Sequence, residues 1–493
     1  MRQANGEPSL KRRTLANMVL TASARIITLA LQLAANVILA RNLSAVDYGI
    51  VGYAQIFISF LSLVSEFGLN SAAIQSPRFT QAMLQTGFTL RMLLGLAAFG
   101  LALIAAPWCA DLLGEQAAGD VIKLLAVGFL INGMAFMPTV QILRALDYRK
   151  FVGGQVAGAV VNSVVTVTMA LNGFAYWSIV VANVAAIAAS TLVLNAMVKE
   201  RPQFTLEPQS VGHYVNFGGH LFMSSVLTFI IMNLDNFAVG TLLGSSALGY
   251  YVLAFTWGTK FCETLASVVN SVLFPTFAKI QADIPRLRSA YLKSLELVGF
   301  IAVGGYVGLV VVSDDFLIHV LGAGTDKWLP SLTVLRILCL YGLIRALLEP
   351  IGSVIMAVGG IPVLVRANLL AAVVMAVLIK PVLAVFGVEG VAVVVTLSYA
   401  CQYLIFLPAL KYRLSVSPRE FLNPLRQPLI AGAFTLTTLA LIRSTVTLGQ
   451  GQERFWLSAL LSGAIYIAVF GLLSRGSAYR ELYNLIRVPQ RHD

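Results

Sequence analysis

The sequence predicts an all-α polytopic membrane protein of about fourteen transmembrane helices. It predicts two parallel six-helix bundles plus a C-terminal helix pair. Three observations carry this reading. Of 493 residues, 58% are hydrophobic and only 11% charged, against about 25% charged in a soluble protein. Apolar runs long enough to cross a bilayer recur along the whole chain. The charges in the loops between those runs alternate from one side to the other.

A spanning helix needs about 20 mostly apolar residues. The first run, 14–40, follows a polar, basic segment, Met1 to Arg13. It is too long for the apolar region of a cleaved signal and is expected to stay as the first helix. Runs at 48–75, 82–107, 121–143, 152–171 and 176–198 complete a first set of six. The turn between the last two is Asn172-Gly173-Phe174. Runs at 214–240, 248–275, 294–312, 328–357, 363–386 and 390–410 form a second set. A tight turn is needed at Phe386 to Gly390, and Asp315 to Leu321 reads as a re-entrant or interfacial turn. Runs at 428–446 and 455–473 add the final pair. The implied layout is an N-terminal bundle over 1–198 and a cytoplasmic linker over 199–213. A second bundle follows over 214–412, then two extra helices with a cytoplasmic tail over 413–493.

Loop charge orients the chain. With a cytoplasmic N-terminus, alternate loops hold most of the 34 Lys and Arg residues, as cytoplasmic loops do. They include Lys11 to Arg13, Arg144 to Lys150, Lys279 to Lys293, and Lys411 to Arg426. The opposite loops carry only Arg41, Lys327, Arg443 and Arg454, together with Asp111, Glu115, Asp120, Asp314, Asp315 and Asp326. The pattern stays in phase throughout, so both termini are expected in the cytoplasm. The net charge of +12 is explained this way, and nucleic acid is not expected as a partner.

An internal repeat links the two halves. A shift of 200 residues lays Leu43 on Leu243, Gly49 on Gly249, Ala54 on Ala254 and Asn70-Ser71 on Asn270-Ser271. A shift of 212 lays Pro138 on Pro350. Both relate one helix to the helix six places on. An even number of crossings separates the copies, so the repeat is parallel, and such repeats place a substrate site between the halves.

Charged residues inside the runs are Arg25, Arg91, Lys123, Lys260, Arg336, Arg345 and Lys380, with Glu66, Asp235, Glu263, Glu296 and Glu349. Each costs roughly 2.5–3.5 kcal/mol at mid-membrane on insertion scales. They line a wet cavity, pair with one another, or lie near an interface. Arg345 and Glu349 are four apart on one helix, and Lys260 and Glu263 three apart, so both can pair locally. Arg25 has no local partner. Arg25, Lys260 and Arg345 make a cationic cavity if they face inward. Such a cavity suits an anionic head group, and a lipid diphosphate bearing sugars is one. Glu66 and Asp235 are candidates for proton or sodium coupling, or members of fixed salt bridges.

The sequence holds no GxxxxGK(S/T), GxSxG or HExxH motif and no Cys/His metal spacing. No catalysis, metal or cofactor is expected. The four cysteines, Cys109, Cys262, Cys339 and Cys401, read as small packing residues. Gly154-xxx-Gly158 and Gly304-xxx-Gly308 fit close helix packing.

The stretch Ala40 to Ile50 (ARNLSAVDYGI), continuing to Ser65 to Gln75 (SEFGLNSAAIQ), resembles the opening of the polysaccharide transporter branch of the multidrug/oligosaccharidyl-lipid/polysaccharide flippase superfamily. Leu234-Asp235-Asn236 and Gly240 to Tyr251 are similar to the start of that family's second half. The resemblance covers residues 14–410 and implies a flippase-like fold working by alternating access. It implies an undecaprenyl-diphosphate-linked oligosaccharide as substrate, flipped across a bacterial inner membrane for O-antigen, capsule or exopolysaccharide. Asp235 matches the family's membrane-embedded Asp; Arg25, Lys260 and Arg345 match no motif and rest on charge alone. Expected partners are the polyprenyl-diphosphate-linked oligosaccharide and membrane lipids, with a polysaccharide polymerase and a chain-length regulator as candidates. Alternatives are a lipid II flippase or drug/cation antiporter of the same fold, and a membrane-embedded polymerase or acyltransferase. An antiporter favours cavity carboxylates, a polymerase large basic periplasmic loops, and an acyltransferase a catalytic membrane His. None of these patterns dominates here.

Overall fold

The computed structural model describes residues 27–77, 79–445 and 451–474. Arg25 and Arg78 lie outside the described residues. All regular elements among the described residues are helical. Among the described residues, eleven helices are long and apolar enough to cross a membrane. A bent pair, Pro208–Met223 and Thr228–Leu243, makes a twelfth if its two arms form one span; they meet at 46°. A shorter apolar helix, α1 (Ile27–Asn42), precedes them.

By packing, the chain divides into two compact units, residues up to Gly249 and residues from Tyr250. After α1, the first holds α2 (Ala45–Glu66), α3 (Leu69–Gln75), α4 (Gln81–Leu113), α5 (Gln116–Met134), α6 (Phe136–Arg144), α7 (Tyr148–Leu171), α8 (Trp177–Ala196) and α9 (Pro208–Leu243). The first turn of α10 (Ser245–Ile280) also belongs to it. Ser44 caps α2 in a reciprocal box with Asp47, each side chain holding the other's backbone N–H. The run 48–75 is broken where Phe67 (φ 39) and Gly68 (φ 67) are both left-handed. The run 121–143 is likewise split, at Ala135, three residues before Pro138. Lipid offers no hydrophobic drive between helices, so close approach of small residues matters most. An added Cβ at Gly158 would lie 3.0 Å from the carbonyl oxygen of Ala186, and one at Gly154 2.7 Å from Leu194. These contacts seat α7 on α8.

The connection ahead of α9 is strapped to α4. The segment is extended, so its backbone N–H groups need outside acceptors. Gln203 N–H donates to Gln85 Oε1 (2.6 Å), Thr205 N–H to Thr89 Oγ1 (3.0 Å) and Glu207 N–H to Thr86 Oγ1 (3.1 Å). The alternate residues 203, 205 and 207 face α4, as the period of an extended chain requires. Phe204 packs on Phe88 at 5.4 Å, and Tyr214 Oη donates to the Met83 carbonyl at 3.0 Å. Nearby, Arg144 donates to the carbonyls of Ala73, Ile74 and Ser76 at 2.9, 2.9 and 3.0 Å. It satisfies the open C-terminal carbonyls of α3 and lies 4.2 Å over the Phe79 ring.

The second unit is built on α11 (Ile284–Asp315), which packs against α12 (Leu332–Ala357), α15 (Pro418–Thr445) and α16 (Gln452–Leu473). Gly304 gives Tyr466 its place: a Cβ there would lie 2.6 Å from the ring. Tyr466 Oη in turn donates to the Phe300 carbonyl at 2.8 Å. The stretch expected as a re-entrant or interfacial turn, Asp315 to Leu321, forms a π-helical turn, Phe316–Leu321, that continues α11. α13 (Ile361–Cys401) and α14 (Tyr403–Leu414) form a 54-residue apolar stretch. At 1.5 Å per residue that is about 80 Å, far beyond the ~30 Å hydrocarbon core. The backbone breaks it at Gly387 (φ 60, ψ −141), inside the turn expected at 386–390. Only glycine adopts that conformation at little cost.

Candidate functional site: charged and polar lanes within the units

In the second unit, α10 carries Lys260, Glu263 and Asn270 at helical spacing along one face. Its buried residues Cys262, Ala266, Val269 and Phe277 form a separate stripe. Lys260 is 31% exposed, and its Nζ lies 4.0 Å from Glu263 Oε2, the outer limit of an ion pair. Thr259 Oγ1 lies 3.4 Å from the same carboxylate.

α12 presents a matching row: Tyr341, Arg345, Glu349 and Ser353, four residues apart. The local pair expected between Arg345 and Glu349 does not form. Arg345 Nη1 donates to Tyr341 Oη at 3.3 Å, and Glu349 accepts instead from Asn270 Nδ2 at 2.8 Å. Arg345 therefore has no carboxylate within ion-pair distance among the described residues. Ser353 Oγ donates to Asn270 Oδ1 at 2.7 Å. The bonds from Asn270 to Glu349 and from Ser353 to Asn270 place the rows of α10 and α12 side by side. The structure thus brings Lys260 and Arg345 onto neighbouring helices of one unit.

Glu66 and Asp235 lie in the first unit. Glu66 ends α2 beside the left-handed break and is half-exposed; Arg91, on α4, is buried. Arg91 Nη2 is 3.7 Å from Glu66 Oε1, and Nη1 has no hydrogen-bond partner among the described residues. Asp235 is buried on α9, with Asn236 Nδ2 3.5 Å away.

A further ionic cluster escaped sequence reasoning. Arg443 on α15 donates to Asp314 Oδ1 (3.0 Å), to Asp315 and to the Val311 carbonyl. Arg454 on α16 lies 3.5 Å from Asp315 Oδ1. The signal was present, since all four residues fall in loops assigned to the same membrane side. Separations near 130 residues hid the pairing.

These features define a multi-pass helical membrane protein of the flippase-like transporter fold. The structure resembles that of the lipid II flippase MurJ in an inward closed conformation, with a TM-score of 0.75 and 15% identity over 95% of this chain and 100% of that one. It also resembles an inward-facing multidrug resistance MATE transporter, with a TM-score of 0.63 and 15% identity over 78% and 94% of the two chains. The particular family follows from sequence: the polysaccharide biosynthesis protein family matches residues 38–333, more than half of the chain, and the chain belongs to it. It is 27% identical over 441 residues to the lipopolysaccharide biosynthesis protein WzxC of Escherichia coli, covering 87% of each chain. It is 25% identical over 308 residues to the succinoglycan biosynthesis transport protein ExoT of Rhizobium meliloti, covering 62% of this chain and 61% of that one.

Proposed function

We propose that this protein is an inner-membrane flippase. It carries undecaprenyl-diphosphate-linked oligosaccharide repeat units to the periplasmic face by alternating access, for exopolysaccharide, O-antigen or capsule synthesis. The single observation that supports this best is the pairing of family membership with two intramembrane cations, Lys260 and Arg345, that lack tight carboxylate partners. A buried charge is costly unless compensated. The diphosphate of the substrate supplies that compensation in transit. Arg25, outside the described residues, adds a third cation from the first apolar run of the sequence. The interior-negative potential favours outward movement of the anionic head by about 2.3 kcal/mol per charge per 100 mV.

On this reading the chain crosses the membrane about fourteen times. Gly387 divides one apolar stretch into two crossings, and both termini are cytoplasmic. Glu66 and Asp235 are the candidates for ion coupling. The protein moves its substrate without altering it. It hands the repeat unit to a polymerase and chain-length regulator.

The test is deletion of the gene, followed by extraction of lipid-linked sugar. The expected result is accumulated lipid-linked oligosaccharide and lost surface polysaccharide, both reversed by the gene in trans. Unchanged lipid intermediates with normal surface polysaccharide would overturn the proposal.

A further inference from the structure

We infer that Glu349, Asn270 and Ser353 form a saccharide-reading subsite, separate from the cations that meet the diphosphate. The inference rests on the flippase reading and deepens it.

The two rows in the second unit differ in chemistry along their length. Lys260 and Arg345 supply positive charge. Asn270 lies about 15 Å beyond Lys260 along α10, ten residues on at 1.5 Å each, and Glu349 about 6 Å beyond Arg345 along α12; there Asn270 meets Glu349 and Ser353. A carboxylate beside a phosphate path repels the substrate it is meant to help. Its presence therefore needs an explanation that the cationic lane does not give.

Hydroxyl-rich ligands give one. A sugar ring presents vicinal hydroxyls, each both donor and acceptor. A carboxylate accepts only, whereas an amide does both. The geometry fits a prearranged pair. Ser353, 1% exposed, donates to Asn270 Oδ1 at 2.7 Å and so fixes which way the amide points. The Nδ2 end then donates to Glu349 Oε2 at 2.8 Å. One amide hydrogen of Asn270 and the Oε1 oxygen of Glu349 take no further hydrogen bond among the described residues. Asn270 is exposed and Glu349 half-buried, so both free positions are accessible. A carboxylate facing lipid is costly, so on the flippase reading the exposed side meets water or substrate. The subsite offers one acceptor and one donor side by side, as two neighbouring hydroxyls require.

The alternative use of these residues is to tie α10 to α12. That use consumes the Asn270–Glu349 bond but not the free groups, and it gives no reason for Glu over Gln. The discriminating variant is therefore Glu349→Gln, which keeps the shape and the bond from Asn270. Ser353→Ala is the second: it frees the amide to rotate without touching the carboxylate.

The experiment uses the full-length protein in nanodiscs with two probes. One is sugar-free undecaprenyl diphosphate. The other is the lipid-linked oligosaccharide that accumulates in the gene-deleted strain. The wild type is expected to bind the sugar-bearing lipid more tightly than the bare one. Glu349→Gln and Ser353→Ala are each expected to shrink that ratio about tenfold, whereas Lys260→Gln weakens both lipids alike. A ratio unchanged from wild type in a variant that elutes as a folded monodisperse protein would overturn the subsite; if Glu349→Gln does not fold, Ser353→Ala decides. A wild type that binds neither lipid would instead overturn the flippase reading.

Discussion

Gly49 packs against the carbonyl of Ser245, and Gly249 packs in return against the carbonyl of Ala45. A Cβ added at Gly49 would stand 1.8 Å from the Ser245 oxygen, and one added at Gly249 would stand 1.7 Å from that of Ala45. Each partner lies 200 residues from its counterpart, the shift that superimposes the two halves of the sequence. The contact is thus reciprocal within the first unit. Backbone meets backbone here, so no flexible side chain can move aside. Gly49→Ala and Gly249→Ala should each destabilise the protein by about 1–3 kcal/mol, the range for overpacking. Thermal unfolding in detergent checks this. Gly100→Ala is the control, because nothing lies within 4 Å of a Cβ there; an equal loss in the control would refute the explanation.

The strap ahead of α9 depends on three polar side chains of α4. Replacing Thr86 with Val removes the acceptor for the Glu207 N–H and keeps the shape. An unsatisfied buried donor costs about 1–3 kcal/mol. Thr86→Val should lower the unfolding temperature, and hydrogen exchange should accelerate at residues 203–207 before it does in α4. Exchange that is unchanged in the segment would mean the bond contributes nothing to holding it.

Much of the architecture was legible because lipid imposes simple rules. Long apolar runs located the helices, although α9 and α11 begin well before the expected 214 and 294, at Pro208 and Ile284, and the break at Gly387 fell in the expected turn. Other breaks were hidden. Phe67–Gly68 interrupts a stretch that mean hydropathy reads as one span, and hydropathy does not distinguish a left-handed pair. The extension of α15 back to Pro418 was missed because its first turns carry Arg419, Glu420 and Arg426. In the site, residue types were legible but pairings were not. Helical spacing put Glu349 within reach of Arg345, yet Asn270, 79 residues away, takes the carboxylate. Tertiary partners compete with local ones, and a single sequence does not report which wins.

The Arg443 cluster ties α15 to the end of α11. Asp315 is 3% exposed, and Arg443 is its closest cation. Removing Arg443 leaves Asp315 only the looser contact with Arg454, 3.5 Å away, so the cost approaches the about 3–5 kcal/mol of breaking a buried pair. Arg443→Met should therefore be strongly destabilising. Adding Asp315→Asn should recover part of the loss, because it removes the stranded charge. Melting temperatures of the single and double variants measure the coupling. A double variant as unstable as the sum of the two singles would show that the ion pair itself contributes little.

Charge, rather than shape, is what the cationic lane is proposed to supply. Lys260→Arg keeps the charge and should retain most transport, whereas Lys260→Gln should lose at least about tenfold, since one lost ion contact of about 1.4 kcal/mol is a tenfold change. Arg345→Gln should behave alike, and Arg25→Ala should abolish export while the protein still inserts. Glu263 provides an internal check. It lies 4.0 Å from Lys260, so Glu263→Gln removes the nearest competing anion. That variant should bind sugar-free undecaprenyl diphosphate more tightly, with the gain shrinking as salt rises. Equilibrium binding in nanodiscs at two ionic strengths measures it. Weaker binding in Glu263→Gln would mean that the carboxylate orients Lys260 rather than competes for it.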